Sequence, residues 1–357
     1  MNNDTKPISI MLCTAARGGM RTVVESYDND GLFDKWNTRL IYTHDDGGWL
    51  KKILIFIRAL LIFCYLISLK KVLFVHVHSA MRGSFWRKNV FSGICRAVKL
   101  PVVLHLHGSE MKAFYNAQGK GGQKRIINIL TKADRVVVLS KSWREFIINI
   151  APNAKVDIIY NYVKIPNKER ANSKSSDIKI LFLGLIGKRK GAFDLINAAK
   201  LLSTTYTNTK VLIGGNGEEN KAKELVERLG LQENVIFLGW VSGNKKLELL
   251  AEADIFILPS YNEGLPMSLL EAMSWGIPVI STNVGGIPEL VRDSVDGFVI
   301  NPGDIDAIYL ALSKLIDSSE QRDILGENAR ERIETLFSDK IILPQWDNLY
   351  KSISRWD

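Results

Sequence analysis

Cysteine is scarce, with only Cys13, Cys64 and Cys95 in 357 residues. An odd number at no metal-like spacing excludes a disulfide framework and a cysteine-based zinc site, and fits a reduced, cytoplasmic compartment. The opening stretch MNNDTKPISIML lacks a charged segment followed by a long apolar run, so no signal peptide is expected. Repeats and low-complexity segments are missing. So is the loop G-x-x-x-x-G-K-[ST], which removes an ATPase signature. No Ser-His-Asp order of a known hydrolase stands out.

What is present reads as globular: 46% hydrophobic and 24% charged residues. A chain of 357 residues exceeds the roughly 250–300 that one core sustains, which predicts two domains. Charge is uneven. Residues 1–165 hold 25 Lys and Arg against 11 Asp and Glu, a net of +14, and the remainder carries −5. A basic first half suits an anionic partner such as a membrane surface, a lipid diphosphate or a nucleic acid.

Short apolar runs alternate with helical patterns. In the first half, strands are expected at Ile8–Cys13, Thr38–Thr43, Val72–His76, Val102–His105, Arg135–Leu139 and Asp157–Ile159. In the second half they fall at Lys179–Gly184, Thr209–Gly214, Val235–Leu238, Ile255–Leu258, Val279–Ser281 and Gly297–Ile300. This βαβ alternation predicts two parallel sheets, each covered on both faces. The polar segment Asn167–Asp177 reads as a linker between domains at 1–166 and 178–337. The last segment, Ser338–Asp357, with Trp346, Tyr350 and Trp356, reads as a docked terminal helix. Leu50–Leu69 is apolar nearly all round, interrupted by Arg58, and runs straight into the next strand. A buried crossover helix is the reading it favours, with a face in a membrane interface as the alternative.

The strongest constellation is Asn262-Glu263-Gly264-Leu265-Pro266 followed by Glu271, seven residues lying between the two carboxylates. It stands where a strand ends and a helix begins, the usual ligand crevice of an open α/β sheet. Backbone N–H groups at a helix start suit phosphate, and carboxylates accept hydrogen bonds from sugar hydroxyls. In the first half, Gly18-Gly19-Met20-Arg21 follows the first strand, where paired glycines permit close backbone approach to a ligand. His105-Leu106-His107-Gly108-Ser109-Glu110 follows a later strand. His76 and His78 share a sheet face and read as structural, without a third ligand for zinc. His105 reads the same way.

The spacing E-x7-E after a strand resembles the retaining glycosyltransferases of family 4, which have the GT-B fold. Phe182-Leu183-Gly184 with Lys190-Gly191, Gly215-Asn216-Gly217, Val235–Val241, Gly285-Gly286-Ile287-Pro288-Glu289 and Asp296-Gly297-Phe298 agree with it across residues 178–305. Ser140 and Asn161 stand where the family has Ser and Asn. The resemblance implies two Rossmann-like α/β domains facing each other across a cleft, with the terminal helix returning to the first. It implies that Glu263 contacts the donor sugar and that Glu271 binds the ribose. Lys190 would neutralise the departing diphosphate with no metal or cofactor required. Val241 would flank the base, Gly18, Gly19, Gly264, Leu265 and Pro266 would line the donor, and His107 would contact its sugar. One departure is Leu185, where the family has Arg; Lys188 and Arg189 are the expected substitutes for that charge.

Arg82, Phe85, Trp86, Arg87 and Lys88 interleave bases with aromatics, and Lys112–Arg125 reads as a basic, glycine-rich loop. Both point to an acceptor on an anionic membrane face, with Phe91 a third aromatic of the first segment; the alternative is that Phe85, Trp86 and Phe91 are core residues of one helix. The implied reaction moves a sugar from a nucleotide sugar, UDP favoured over GDP, to a saccharide acceptor linked to a polyprenyl diphosphate. Such an enzyme serves cell-surface polysaccharide such as O-antigen, on the cytoplasmic side of the membrane. The alternatives are a nucleic-acid-binding or modifying protein of GT-B type, disfavoured because no dedicated nucleic-acid module is recognisable, and a sugar-nucleotide epimerase.

Overall fold

The computed structural model describes residues 6–167 and 177–354. Residues 168–176 of the expected linker, and Trp356, lie outside them. The chain divides into two compact units, Met1–Asn161 with Asp339–Asp357, and Tyr162–Ser338. The division falls earlier than residue 166, because Val163 bridges to Ser338 and accordingly belongs to the second unit.

The first unit holds six parallel strands: β1 (Ile8–Cys13), β2 (Thr38–Tyr42), β3 (Val72–Ser79), β4 (Val102–Leu106), β5 (Arg135–Val138) and β6 (Val156–Ile158). Their order is β2-β1-β3-β4-β5-β6. The second holds β7 (Ile178–Leu183), β8 (Thr209–Gly214), β9 (Val235–Gly239), β10 (Ile255–Leu258), β11 (Val279–Thr282) and β12 (Gly297–Ile300), in the order β12-β11-β10-β7-β8-β9. Every pairing among these strands is parallel. Strands covered on both faces are buried along their whole length, as β1 and β4 are, which explains their unbroken apolar runs. In each sheet the strand order reverses once, between β1 and β3 and between β7 and β10. Outside the carboxyl ends of such a pair lies the ligand crevice of an open α/β sheet.

Three expectations are corrected. The helix Trp49–Leu69 is not a core helix: only Ala59 and Phe63 are buried in it. Periodicity alone does not tell a buried apolar helix from an exposed one. The segment Lys112–Arg125 is not a loop, because the helices Met111–Asn116 and Lys120–Lys132 occupy it; its glycines Gly121 and Gly122 lie in the second helix's first turn. Phe85 and Phe91 are core residues of the helix Gly83–Ala97, not a membrane-facing pair. Phe91 takes the rings of Phe56 and Phe63 edge-on, at centroid distances of 5.7 and 5.2 Å.

The terminal helix Asp339–Ile353 belongs to the first unit. Its Trp346 and Tyr350 are buried there: Tyr350 stacks on Phe74 at 4.4 Å and Trp346 lies 4.8 Å from the His76 ring.

Candidate functional site

In the second unit, two loops meet beyond the ends of β7 and β10. The β7 loop runs through Gly184, Leu185, Ile186 and Gly187 into a single 3-10 turn, Lys188–Lys190, and then the helix Ala192–Leu202. Gly191 joins turn to helix with φ +72°, and a Cβ there would stand 2.0 Å from the Pro259 carbonyl oxygen. Only glycine tolerates both conditions. The β10 loop returns the contact, as the Tyr261 N–H donates to the Arg189 carbonyl at 2.9 Å.

This clasp sends Lys190 inward. Its Nζ pairs with Glu263 Oε1, the two side chains being 14% and 7% exposed. Ser260 Oγ donates to the same carboxylate oxygen at 2.7 Å. The Glu263–Gly264 backbone is held from the other side by the loop after β11. Gly286 N–H donates to the Gly264 carbonyl at 2.7 Å, and a Cβ on Gly285 (φ +58°) would be 1.8 Å from the Glu263 carbonyl oxygen. Thr282 Oγ1 donates to the Ser260 carbonyl at 2.6 Å. Three loops thus fix one carboxylate, and that rigidity is what a positioned catalytic or binding group requires.

Leu265 and Pro266 are buried and lead into the helix Met267–Ser274. Glu271 lies in that helix and receives Lys246 Nζ at 2.7 Å, from the helix Gly243–Glu252. Sequence reading missed Lys246. The signal was a basic pair after VIFLGWV, but nothing in it chooses between Lys245 and Lys246. Val241 stands beside Gly214, where its Cγ2 would be 2.9 Å from an added Cβ. Lys188 and Arg189 are exposed in the 3-10 turn, and Arg189 NH1 donates to the Asn262 carbonyl at 3.4 Å. Leu185 is exposed between them and β7.

In the first unit, Gly18 and Gly19 open the helix Gly19–Asn29 after β1, and His107 follows β4. Five groups, His107 among them, make hydrogen bonds there. His78 Nδ1 and His107 Nε2 share a hydrogen bond at 2.8 Å, His76 Nε2 and His105 Nδ1 one at 3.3 Å, and His76 Nδ1 bonds the Tyr350 hydroxyl at 2.6 Å. The third histidine that spacing did not reveal is therefore His105. With His76 and His78 it places ligand-capable nitrogens within 4.8 Å of one another. Burial pushes all four imidazoles down, His107 to about 3, so each is neutral at physiological pH.

Lys88 completes this region. It shares the buried stripe of its helix with Phe85, Phe91 and Cys95, and its Nζ has no hydrogen-bond partner among the described residues. Burial pushes its amine down to about 7. Its charge reaches Cys13 at the end of β1, His78 on β3 and His107 after β4, which places it by the β1/β3 reversal. The spacing 85-88-91-95 was the sequence signal of its burial. Lys88 is thus no surface cation, Trp86 is half-buried under the Arg125 guanidinium at 5.2 Å, and Arg82 is exposed and paired with Glu110 at 3.0 Å.

Residues 163–332 match the family described as glycosyl transferases group 1. The chain is 28% identical over 304 residues to the N-acetyl-alpha-D-glucosaminyl L-malate synthase of Bacillus anthracis, covering 79% of this chain and 75% of that one. It is 29% identical over 299 residues to the UDP-Gal:alpha-D-GlcNAc-diphosphoundecaprenol alpha-1,3-galactosyltransferase of Escherichia coli, covering 76% and 75%. A sucrose-phosphate synthase from Thermosynechococcus elongatus has the same fold, with a TM-score of 0.82 at 18% identity over 97% of this chain and 98% of that one.

Proposed function

We infer that this chain, a GT-B glycosyltransferase of the family 4 type, transfers a sugar with retention from a UDP-sugar to a saccharide on a lipid diphosphate. The observation that carries the donor half is the Lys190–Glu263 pair across the β7/β10 reversal. An ammonium held beside the start of the helix Ala192–Leu202 is placed to neutralise a diphosphate, which the helix N-terminus also favours. When the diphosphate takes Lys190, Glu263 becomes an acceptor for the donor's sugar hydroxyls, still oriented by Ser260. Glu271, steadied by Lys246, receives the ribose hydroxyls. Lys188 and Arg189 lend charge where Leu185 has none.

In the reaction, the acceptor hydroxyl oxygen bonds to the anomeric carbon on the face from which the diphosphate leaves. The bond from that carbon to the diphosphate oxygen breaks, and the acceptor's proton passes to the departing phosphate. Lys190 stabilises the charge that develops there, the role a metal ion plays elsewhere, so no metal is needed. His107, neutral, hydrogen-bonds a sugar hydroxyl.

Lys88 supports the acceptor half. A buried amine without a partner is costly unless a ligand supplies one, and an acceptor diphosphate would raise its proton affinity and hold it charged. The relative that acts on a diphosphoundecaprenol-linked sugar suggests the same acceptor class, at the cytoplasmic membrane face and in cell-surface polysaccharide synthesis.

The test is calorimetric titration of UDP, GDP and their sugars into the purified chain, with and without EDTA. Saturable UDP binding, unchanged by EDTA and at least tenfold weaker in Lys190→Ala, is the expected result. Equal UDP affinity in the wild type and in Lys190→Ala would overturn the donor reading, and loss of UDP binding in EDTA would overturn metal independence.

A further inference from the structure

The helix Trp49–Leu69 has two faces, and only one of them packs on protein among the described residues. Its core stripe is Phe56, Ala59, Leu60, Phe63, Leu66 and Ile67. The opposite stripe, Leu50, Leu54, Ile57, Leu61 and Tyr65, follows the same helical spacing and is 47 to 66% exposed at every position. Its most apolar stretch of 18 residues has a mean hydropathy of 2.3, and 11% of that stretch is buried. Such a surface in water is unfavourable by about 1.5–3 kcal/mol for each large side chain it could bury.

Charge decides what covers it. The chain carries no acidic residue between Asp46 and Glu110; Lys51 in the first turn of the helix is paired with Asp45 at 2.7 Å, and Lys52, Arg58 and Lys71 add further positive charge along and after it. A second copy laid on this stripe would set Lys52 and Arg58 against their own kind with no carboxylate in the helix to answer them. An anionic lipid surface is complementary to it. Trp49, 70% exposed at one end, and Tyr65 are the amphipathic rings that favour the membrane interface. The core stripe runs along the helix, so spanning would pull Ala59 and Phe63 out of their packing. Lying in the plane of the interface keeps both faces buried.

We propose that the stripe Leu50, Leu54, Ile57, Leu61 and Tyr65 is an in-plane docking surface for an anionic phospholipid bilayer. The proposal deepens the lipid-linked-acceptor reading and rests on it for its purpose. The helix packs through Phe56 and Phe63 on Phe91, in the same helix as Lys88. Its Trp49 end follows the loop of His44, whose imidazole feels both Lys52 and Arg87. Docking would bring the region of Lys88 to the depth at which a lipid's diphosphate lies.

The full chain is sedimented with vesicles of phosphatidylcholine alone and of phosphatidylcholine with phosphatidylglycerol. UDP binding is measured in parallel. The wild type is expected to bind the phosphatidylglycerol vesicles. The exposed pair Leu54→Gln/Leu61→Gln is expected to lose that binding at least tenfold with UDP affinity unchanged, and Lys52→Glu/Arg58→Glu to lose it mainly at low salt. Unchanged vesicle binding in the Gln pair overturns the docking surface. A wild type that ignores both vesicles but forms a dimer broken by the Gln pair overturns it too, in favour of a second copy. A chain that docks but binds no UDP leaves this surface standing and sinks the transferase reading, so the two fail separately.

Discussion

At the β7/β10 reversal each inward cation faces a carboxylate, Lys190 on Glu263 and Lys246 on Glu271. At the β1/β3 reversal Lys88 lies by neutral imidazoles and, among the described residues, has no carboxylate within hydrogen-bonding distance. The two sheets share a scheme, one reversal and glycines at the loop after the leading strand, yet they balance charge differently. The second unit is electrostatically complete before a ligand arrives and must exchange one ion pair for another. The first holds a desolvated base whose charged form waits for an anion. The difference suits a soluble donor that binds and leaves often, against an acceptor that brings its own counter-charge.

Removing one member of a self-neutralised pair should have the largest effect. Lys190→Ala is expected to lower kcat/KM by about a thousandfold, the scale of a lost charge-stabilising donor. It should also destabilise the second unit, since Glu263 keeps a buried, uncompensated carboxylate, by about 3–5 kcal/mol. Steady-state kinetics and urea unfolding check both, and Glu263→Gln should lose a similar share of kcat with a smaller stability change.

Lys88→Met should do the reverse in the first unit. It is expected to lower kcat/KM for the acceptor roughly a hundredfold, with donor affinity unchanged, and to raise stability by about 1–3 kcal/mol at neutral pH. Both a loss of stability and an unchanged acceptor dependence would break the comparison.

The pH dependence sharpens it. Lys88 has a folded value of about 7 against 10.5 unfolded, so between those values the unfolded chain binds the extra proton and folding stability rises with pH. The gain from Lys88→Met is therefore full below pH 7 and fades towards pH 10.5. Acceptor KM in the wild type should rise as pH climbs past about 7, and this rise should be absent in Lys88→Arg if the charge is retained.

The smallest effect is expected at the outer pair. Lys246→Ala should raise the donor KM by several-fold with little change in kcat, because Glu271 keeps its place in the helix and loses only its steadying partner. A large fall in kcat would move Glu271 closer to the chemistry than the ribose.

Much of this was legible beforehand, and for a definite reason. The inner strands of both sheets announced themselves as apolar runs, because strands covered on two faces must be apolar throughout, whereas the edge strands β2 and β6 carry Arg39 and Asp157 and bury only Ile41 between them. Glu263, Glu271 and the glycines around them could be picked out because a loop that must pack against carbonyl oxygens at contact distance leaves room for no side chain. The short helices Leu32–Lys35 and Ile287–Leu290, and the longer Ser319–Arg332, escaped: the first two have too few turns for a period, and the last is strongly polar.

Local pattern, then, determined the strands and the glycine-lined carboxylates, since each is dictated by neighbours in the chain. Tertiary structure alone decided three other matters. Which lysine meets Glu271 depends on how two helices from different crossovers lie together. Whether Trp49–Leu69 faces core or surroundings depends on what packs on its second face, and an all-apolar helix looks the same in either place. That Lys88, one base among many in a +14 segment, meets neutral imidazoles and no counter-charge where the 85-88-91-95 spacing buries it depends on His78 of β3 and His107 after β4, at separations along the chain that no local pattern spans.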